Sequence, residues 1–108
     1  MDFPEPLPPM RSINRNTSAI TIARQIIGAN PRRVHLTYTN ISDTKYIDIA
    51  MISAGGVSTL GTYRVFPHGT ITFSRYGEMP WDGALWAEAQ DNVSSNLKGA
   101  EVEWAYDD

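Results

Sequence analysis

No cysteine occurs among the 108 residues, and histidine and lysine appear only twice each. Without thiols the chain forms no disulfide, holds no cysteine-ligated zinc or iron–sulfur cluster and offers no thiol nucleophile. Its compartment is therefore not legible from redox chemistry. Long apolar runs are missing as well: none approaches the ~20 residues of a membrane-spanning helix, so no membrane partner is expected. Excess positive charge is also lacking. A net charge of −3 does not give the basic footprint of a nucleic-acid binder, and nucleic acid is not expected as a partner. Leu, Ile, Val and Phe together supply 23 of the 108 residues, close to the level at which chains stay unfolded. Most of them must lie inside.

Helical periodicity is nearly absent too. From residue 18 onward polar and apolar residues alternate with period two, and β-branched and aromatic types dominate, the pattern of half-buried antiparallel strands. Strands are expected over Ser18–Arg24, Arg32–Asn40, Tyr46–Ser53, Leu60–Val65, Thr70–Tyr76, Gly83–Gln90 and Ala100–Tyr106, most of them bounded by Gly, Pro, Asn or Asp. The pattern predicts an all-β fold: an antiparallel β-sandwich, jelly-roll or Ig-like, of seven to eight strands with an extended N-terminal arm. Alternation turns Val34, Leu36, Tyr38, Ile49, Ile71, Phe73 and Leu85 inward. On the last strand it sends Val102, Trp104 and Tyr106 to the core and Glu101 and Glu103 to solvent. The Tyr46–Ser53 strand is apolar on both faces, as in a central strand or one covered by a neighbouring subunit; subunit cover is the reading preferred here.

What the chain has in excess is proline at its start. Four of its seven prolines fall within residues 4–9, which predicts a stiff, extended arm over residues 1–12 ahead of a sandwich domain over residues 13–108. Phe3, Leu7, Met10 and Arg11 are the arm residues able to anchor it, with Pro6 among those that stiffen it, so these five are candidate partner-binding residues. Residues 11–33 carry five arginines and no acid, whereas residues 78–108 carry eight acids and one lysine. The basic segment is expected to face the acidic third of an adjacent subunit. Trp86 joins the candidate contacts: if Leu85 and Ala87 are inward it projects from the outer face of its strand, available to a neighbouring subunit, a partner or a sugar ring, whereas a shifted register would put it in the core.

Catalytic chemistry finds little to work with. His35 falls on an outward strand position, His68 lies in a Pro-His-Gly turn, and neither is paired in sequence with a nucleophile and an orienting group. No ligand spacing typical of a metal site occurs, and the glycine-rich stretch 54–61 lacks the lysine and following helix of a phosphate cradle, so it reads as a hairpin loop. Glu101 and Glu103 share one strand face, which in the expected register is solvated. No enzyme, metal or cofactor is expected. The start, MDFPEPLPPM, lacks the basic and apolar regions of a signal peptide, and an unprocessed soluble chain is expected.

The order of segments carries a resemblance. Ala29-Asn30-Pro31-Arg32-Arg33-Val34 opens a strand ending in Thr39-Asn40-Ile41-Ser42-Asp43; Tyr46-Ile47-Asp48-Ile49, Pro67-His68-Gly69-Thr70-Ile71-Thr72-Phe73 and Pro80-Trp81-Asp82-Gly83-Ala84-Leu85-Trp86-Ala87 follow. This resembles small β-sandwich domains in structural proteins of tailed bacteriophage virions, over about residues 29–106. Those domains have Gly-Gly where this chain has His68-Gly69, and they have no fixed counterpart of the Gly55–Gly61 loop. The resemblance implies a non-enzymatic capsid decoration or attachment subunit, assembled as a homo-oligomer with a trimer favoured. Its partners would be the major capsid protein or another virion protein, and it would be made in the host cytoplasm and located in the virion. The rival reading is a glycan-binding sandwich that uses exposed Trp and Tyr.

Overall fold

The computed structural model describes residues 9–51, 62–77 and 79–105. Nine strands lie among them: β1 (Met10–Asn14), β2 (Thr17–Ile20), β3 (Arg24–Ile27), β4 (Arg33–Asn40), β5 (Ile47–Ala50), β6 (Thr62–Val65), β7 (Thr70–Ser74), β8 (Leu85–Ala89) and β9 (Ser95–Trp104). One antiparallel sheet runs β1-β9-β4-β7, with β2 also on β9, and the other runs β3-β8-β5-β6. β1 and β2 are one strand interrupted at Arg15 and Asn16, where Asn16 Oδ1 accepts from Gly99 N at 2.9 Å. Counting them together, the first strand pairs with the last, β3 with β8, β4 with β7 and β5 with β6. This nested pairing is a long hairpin folded over on itself, the jelly-roll form of the β-sandwich.

The core lies between the sheets. Leu36, Tyr38, Ile71, Phe73 and Leu97 from one sheet meet Ile47, Ile49, Val65, Leu85 and Ala87 from the other, all buried. Of the positions expected inward from alternation, Leu36, Tyr38, Ile49, Ile71, Phe73 and Leu85 are buried as expected. Val34 and Trp104 are not; both are half-buried on the opposite face.

These two misses share a cause. In the β4–β9 ladder Arg33 pairs with Glu103 and His35 with Val102, leaving Val34 as an extra residue. Such a bulge shifts the phase of the strand, so Arg33 and Leu36 both point inward while Val34 does not. β9 runs for ten residues with alternation intact, and Ser95, Leu97, Gly99, Glu101 and Glu103 all face the core. Alternation alone fixes two opposite faces and leaves open which is inside. The expectation that Val102 and Trp104 are core and that the two glutamates are solvated is therefore reversed; Tyr106 lies outside the described residues.

Three boundaries also change. The expected Ser18–Arg24 strand is two strands in different sheets, with Thr21–Ala23 crossing between them. β9 begins five residues before the expected Ala100, because Ser95 and Gly99 are small inward residues that leave no apolar trace. The arm expected over residues 1–12 does not include its last residues: Met10, Arg11 and Ser12 are in register with Trp104, Glu103 and Val102, so they belong to the sandwich, and residues 1–8 lie outside the described residues. β5 is an interior strand between β8 and β6, and its own neighbours bury all four of its residues without a second subunit.

Candidate functional site

At the end of the sandwich where β1 enters, arginines and glutamates interlock. Glu101, fully buried, accepts from Arg33 Nε on one oxygen and from Arg15 Nε at 2.9 Å on the other. Arg33 is itself 2 % exposed, and its remaining donors go to the carbonyls of Gly28 at 2.9 Å and Gly83 at 2.8 Å. The guanidinium thus ties β4 to β9, to the end of β3 and to the loop before β8. Glu103, 2 % exposed, accepts from Arg11 Nε at 2.8 Å and Asn30 Nδ2 at 2.8 Å, and Arg32 Nη2 lies 3.3 Å away. Burial pushes the Glu103 carboxyl up, but the hydrogen bonds from Arg11 and Asn30 and the charges of Arg11 and Arg32 outweigh it and hold the pKa below the ordinary carboxylate value.

A buried carboxylate without such partners would be untenable, which is why the inward face of β9 can hold two acids. The clamp sits beside a cavity of about 440 Å³ lined by Arg15, Ile26, Asn30, Arg32, Glu101 and Glu103. Each carboxylate is occupied by guanidinium donors, and the described residues lining the cavity include no Ser, Thr, His or Lys. The contrast between the basic segment and the acidic end of the chain, expected to act between subunits, is met inside one chain through Arg11, Arg15, Arg32 and Arg33.

Next to the clamp, Tyr38 crosses β9 above Gly99, where a Cβ would lie 2.3 Å from Tyr38 Cε1 and 2.8 Å from the Arg15 carbonyl oxygen. The missing side chain is what lets the ring fill this space. Burial raises the pKa of the Tyr38 hydroxyl, which lies near Thr17 without a hydrogen bond of normal geometry.

The residues singled out from sequence are not gathered in one place. Phe3, Pro6 and Leu7 lie outside the described residues, as do residues 54–61. Met10 is in β1 opposite Trp104 and 46 % exposed. Arg11, expected to meet a partner, is held by Glu103 within the chain. Trp86 is on the outer face of the second sheet, half-buried, between Gln25 and Ala50 in register. His35 bonds to the Thr37 hydroxyl at 2.9 Å, and exposed His68 lies 3.0 Å from Asp43. His68 takes φ 64°, the left-handed conformation that suits glycine. The described residues contain no group of three or more His, Asp or Glu arranged to hold a metal ion.

Sequence reasoning missed the clamp because its glutamates were assigned to the wrong face. The signal was present: two acids at alternate positions of one strand, and arginines at 11 and 15, four residues apart, and at 32 and 33 able to neutralise them.

No protein-family model matches the chain, and no curated protein matches it. Among solved structures it is similar to a chain of the Bacillus endospore appendages, described as a novel family of disulfide-linked pili. The TM-score is 0.54 at 13% identity, covering 91% of this chain and 88% of that one. At this identity the likeness is one of fold. With no cysteine, the present chain has no means of making the disulfide linkage named there.

Proposed function

We propose that this protein is a non-enzymatic assembly subunit, a virion structural protein of the capsid decoration or attachment type. It forms a symmetric homo-oligomer, a trimer being favoured, and its N-terminal segment makes the contacts with neighbouring copies and with the major capsid protein or another virion protein. The observation that carries the reading is the clamp: Arg11 and Glu103 lock β1 into the sheet immediately after the proline-rich stretch. Among the described residues, the Ala105 N–H to Pro9 carbonyl bond at 2.9 Å is the backbone tie nearest that stretch. Residue 9, where the proline-rich stretch ends, is thereby a fixed point, which lowers the entropy lost when that stretch binds a partner. A fold shared with a pilus protein is in keeping with an assembly role.

Deletion of residues 1–8 tests the reading. The deleted chain is expected to keep the circular dichroism of the parent and to lose oligomer or capsid binding. Unchanged assembly would refute the role given to the arm.

A further inference from the structure

The two ends of the sandwich differ in kind. One end carries the clamp, Pro9 and the start of β1, with two exposed large apolar side chains, Met10 (46 %) and Tyr76 (78 %). The opposite end is formed by the turn between β2 and β3, the loops from β4 to β5 and from β8 to β9, and the turn from β6 to β7. Each of these four connections presents one exposed large apolar side chain: Ile22 (66 %), Ile41 (49 %), Val93 (45 %) and Phe66 (63 %). Two exposed ion pairs, His68–Asp43 at 3.0 Å and Lys45–Asp91 at 3.3 Å, sit on the same end. Apolar side chains gathered on one end with a polar accompaniment are the composition of a contact surface.

Chain length decides what can cover this end. A residue spans at most about 3.6 Å, so Phe3, six residues before Pro9, reaches about 22 Å from it, and Leu7 about 7 Å. β9 alone, ten residues long, separates the two ends by about 31 Å at 3.4 Å per residue. Neither apolar residue of the arm can therefore touch the apolar end of its own chain. They can touch that of another copy.

We propose that the end formed by Ile22, Ile41, Phe66 and Val93 receives Phe3 and Leu7 of a second copy, making a head-to-tail contact. This rests on the arm acting between copies, as proposed above, and adds the receiving surface. Such a contact is heterologous, closing into a ring or continuing as a filament according to the rotation between copies.

Two full-length variants test it, with circular dichroism confirming that each is folded. One has a defective receiving end (Ile22→Ser with Phe66→Ser), the other a defective arm (Phe3→Ser with Leu7→Ser). In sedimentation equilibrium each alone is expected to associate ten- to a hundredfold or more less tightly than the parent. Mixed in equal amounts, they are expected to form a one-to-one dimer, because one supplies the intact arm and the other the intact end. Parent-like assembly of the receiving-end variant, or a mixture that stays monomeric, would overturn the proposal. If the receiving-end variant assembles while the arm variant does not, only the assigned surface fails. If the arm variant itself assembles like the parent, the arm reading fails with it.

Discussion

Replacing Glu101 with glutamine changes volume hardly at all and removes one negative charge from the middle of the clamp. Arg33, 2 % exposed, then keeps its charge without its ion-pair partner among the described residues, and an amide NH2 group competes for the position facing its donors. Arg15 loses the same partner, but its side chain is 37% exposed and water compensates much of that loss. The cost is therefore dominated by Arg33. Breaking a buried pair from one side costs about 3–5 kcal/mol, against total stabilities of about 5–15 kcal/mol for ordinary domains. In a domain of this size 1 kcal/mol moves Tm by about 4–8 °C, so Glu101→Gln should melt at least about 12 °C lower than the parent. Urea unfolding followed by circular dichroism gives the free energy, and an unchanged slope would show that the unfolding reaction itself is the same. The exposed Lys45–Asp91 pair is the control, since Lys45→Met should cost no more than about 1 kcal/mol. A Glu101→Gln variant within about 1 kcal/mol of the parent would refute the reasoning and return Glu101 to the solvent face.

Gly99→Ala should destabilise the fold by about 1–3 kcal/mol in calorimetry, because its Cβ meets the Tyr38 ring and the Arg15 carbonyl together; parent-like stability would mean that the ring does not cross β9 there. Phe73→Ala, at a position 1 % exposed, should cost about 3–5 kcal/mol in the same measurement. Glu103 has a folded pKa below its unfolded value, so its contribution is full above the ordinary carboxylate range and is lost as pH falls through the lowered folded pKa. Urea midpoints measured from neutral pH downward should show this acid loss reduced in Glu103→Gln, and identical profiles would contradict it. His68→Gly should raise stability by up to about 1 kcal/mol by relieving the left-handed backbone at φ 64°, since the exposed pair with Asp43 is worth little.

Most of the fold was legible because period-two alternation survives wherever large apolar residues mark one face, as at Leu36-Thr37-Tyr38 and Ile71-Thr72-Phe73. It failed where that mark was missing or ambiguous. The inward face of β9 reads Ser95, Leu97, Gly99, Glu101, Glu103, and only one of these is apolar, while the outward face offers Val102 and Trp104. Hydrophobicity along one strand then points the wrong way, and the decision belongs to arginines distant in sequence. The bulge at Val34 is equally silent, because it is a property of the pairing between β4 and β9. β1 was hidden by the prolines just before it, which made Met10–Ser12 look like a continuation of the arm. The outward position of Trp86 was readable, since Leu85 and Ala87 flank it and both are buried.

The central claim is that this chain works by assembling, and the mass of the full-length protein in solution tests it most directly. Sedimentation equilibrium or native mass spectrometry should give an integral multiple of the 12.0 kDa chain, three copies being the favoured number. The mass should fall to that of one chain when residues 1–8 are removed. A full-length protein that remains a 12.0 kDa monomer across micromolar to millimolar concentrations would contradict the account.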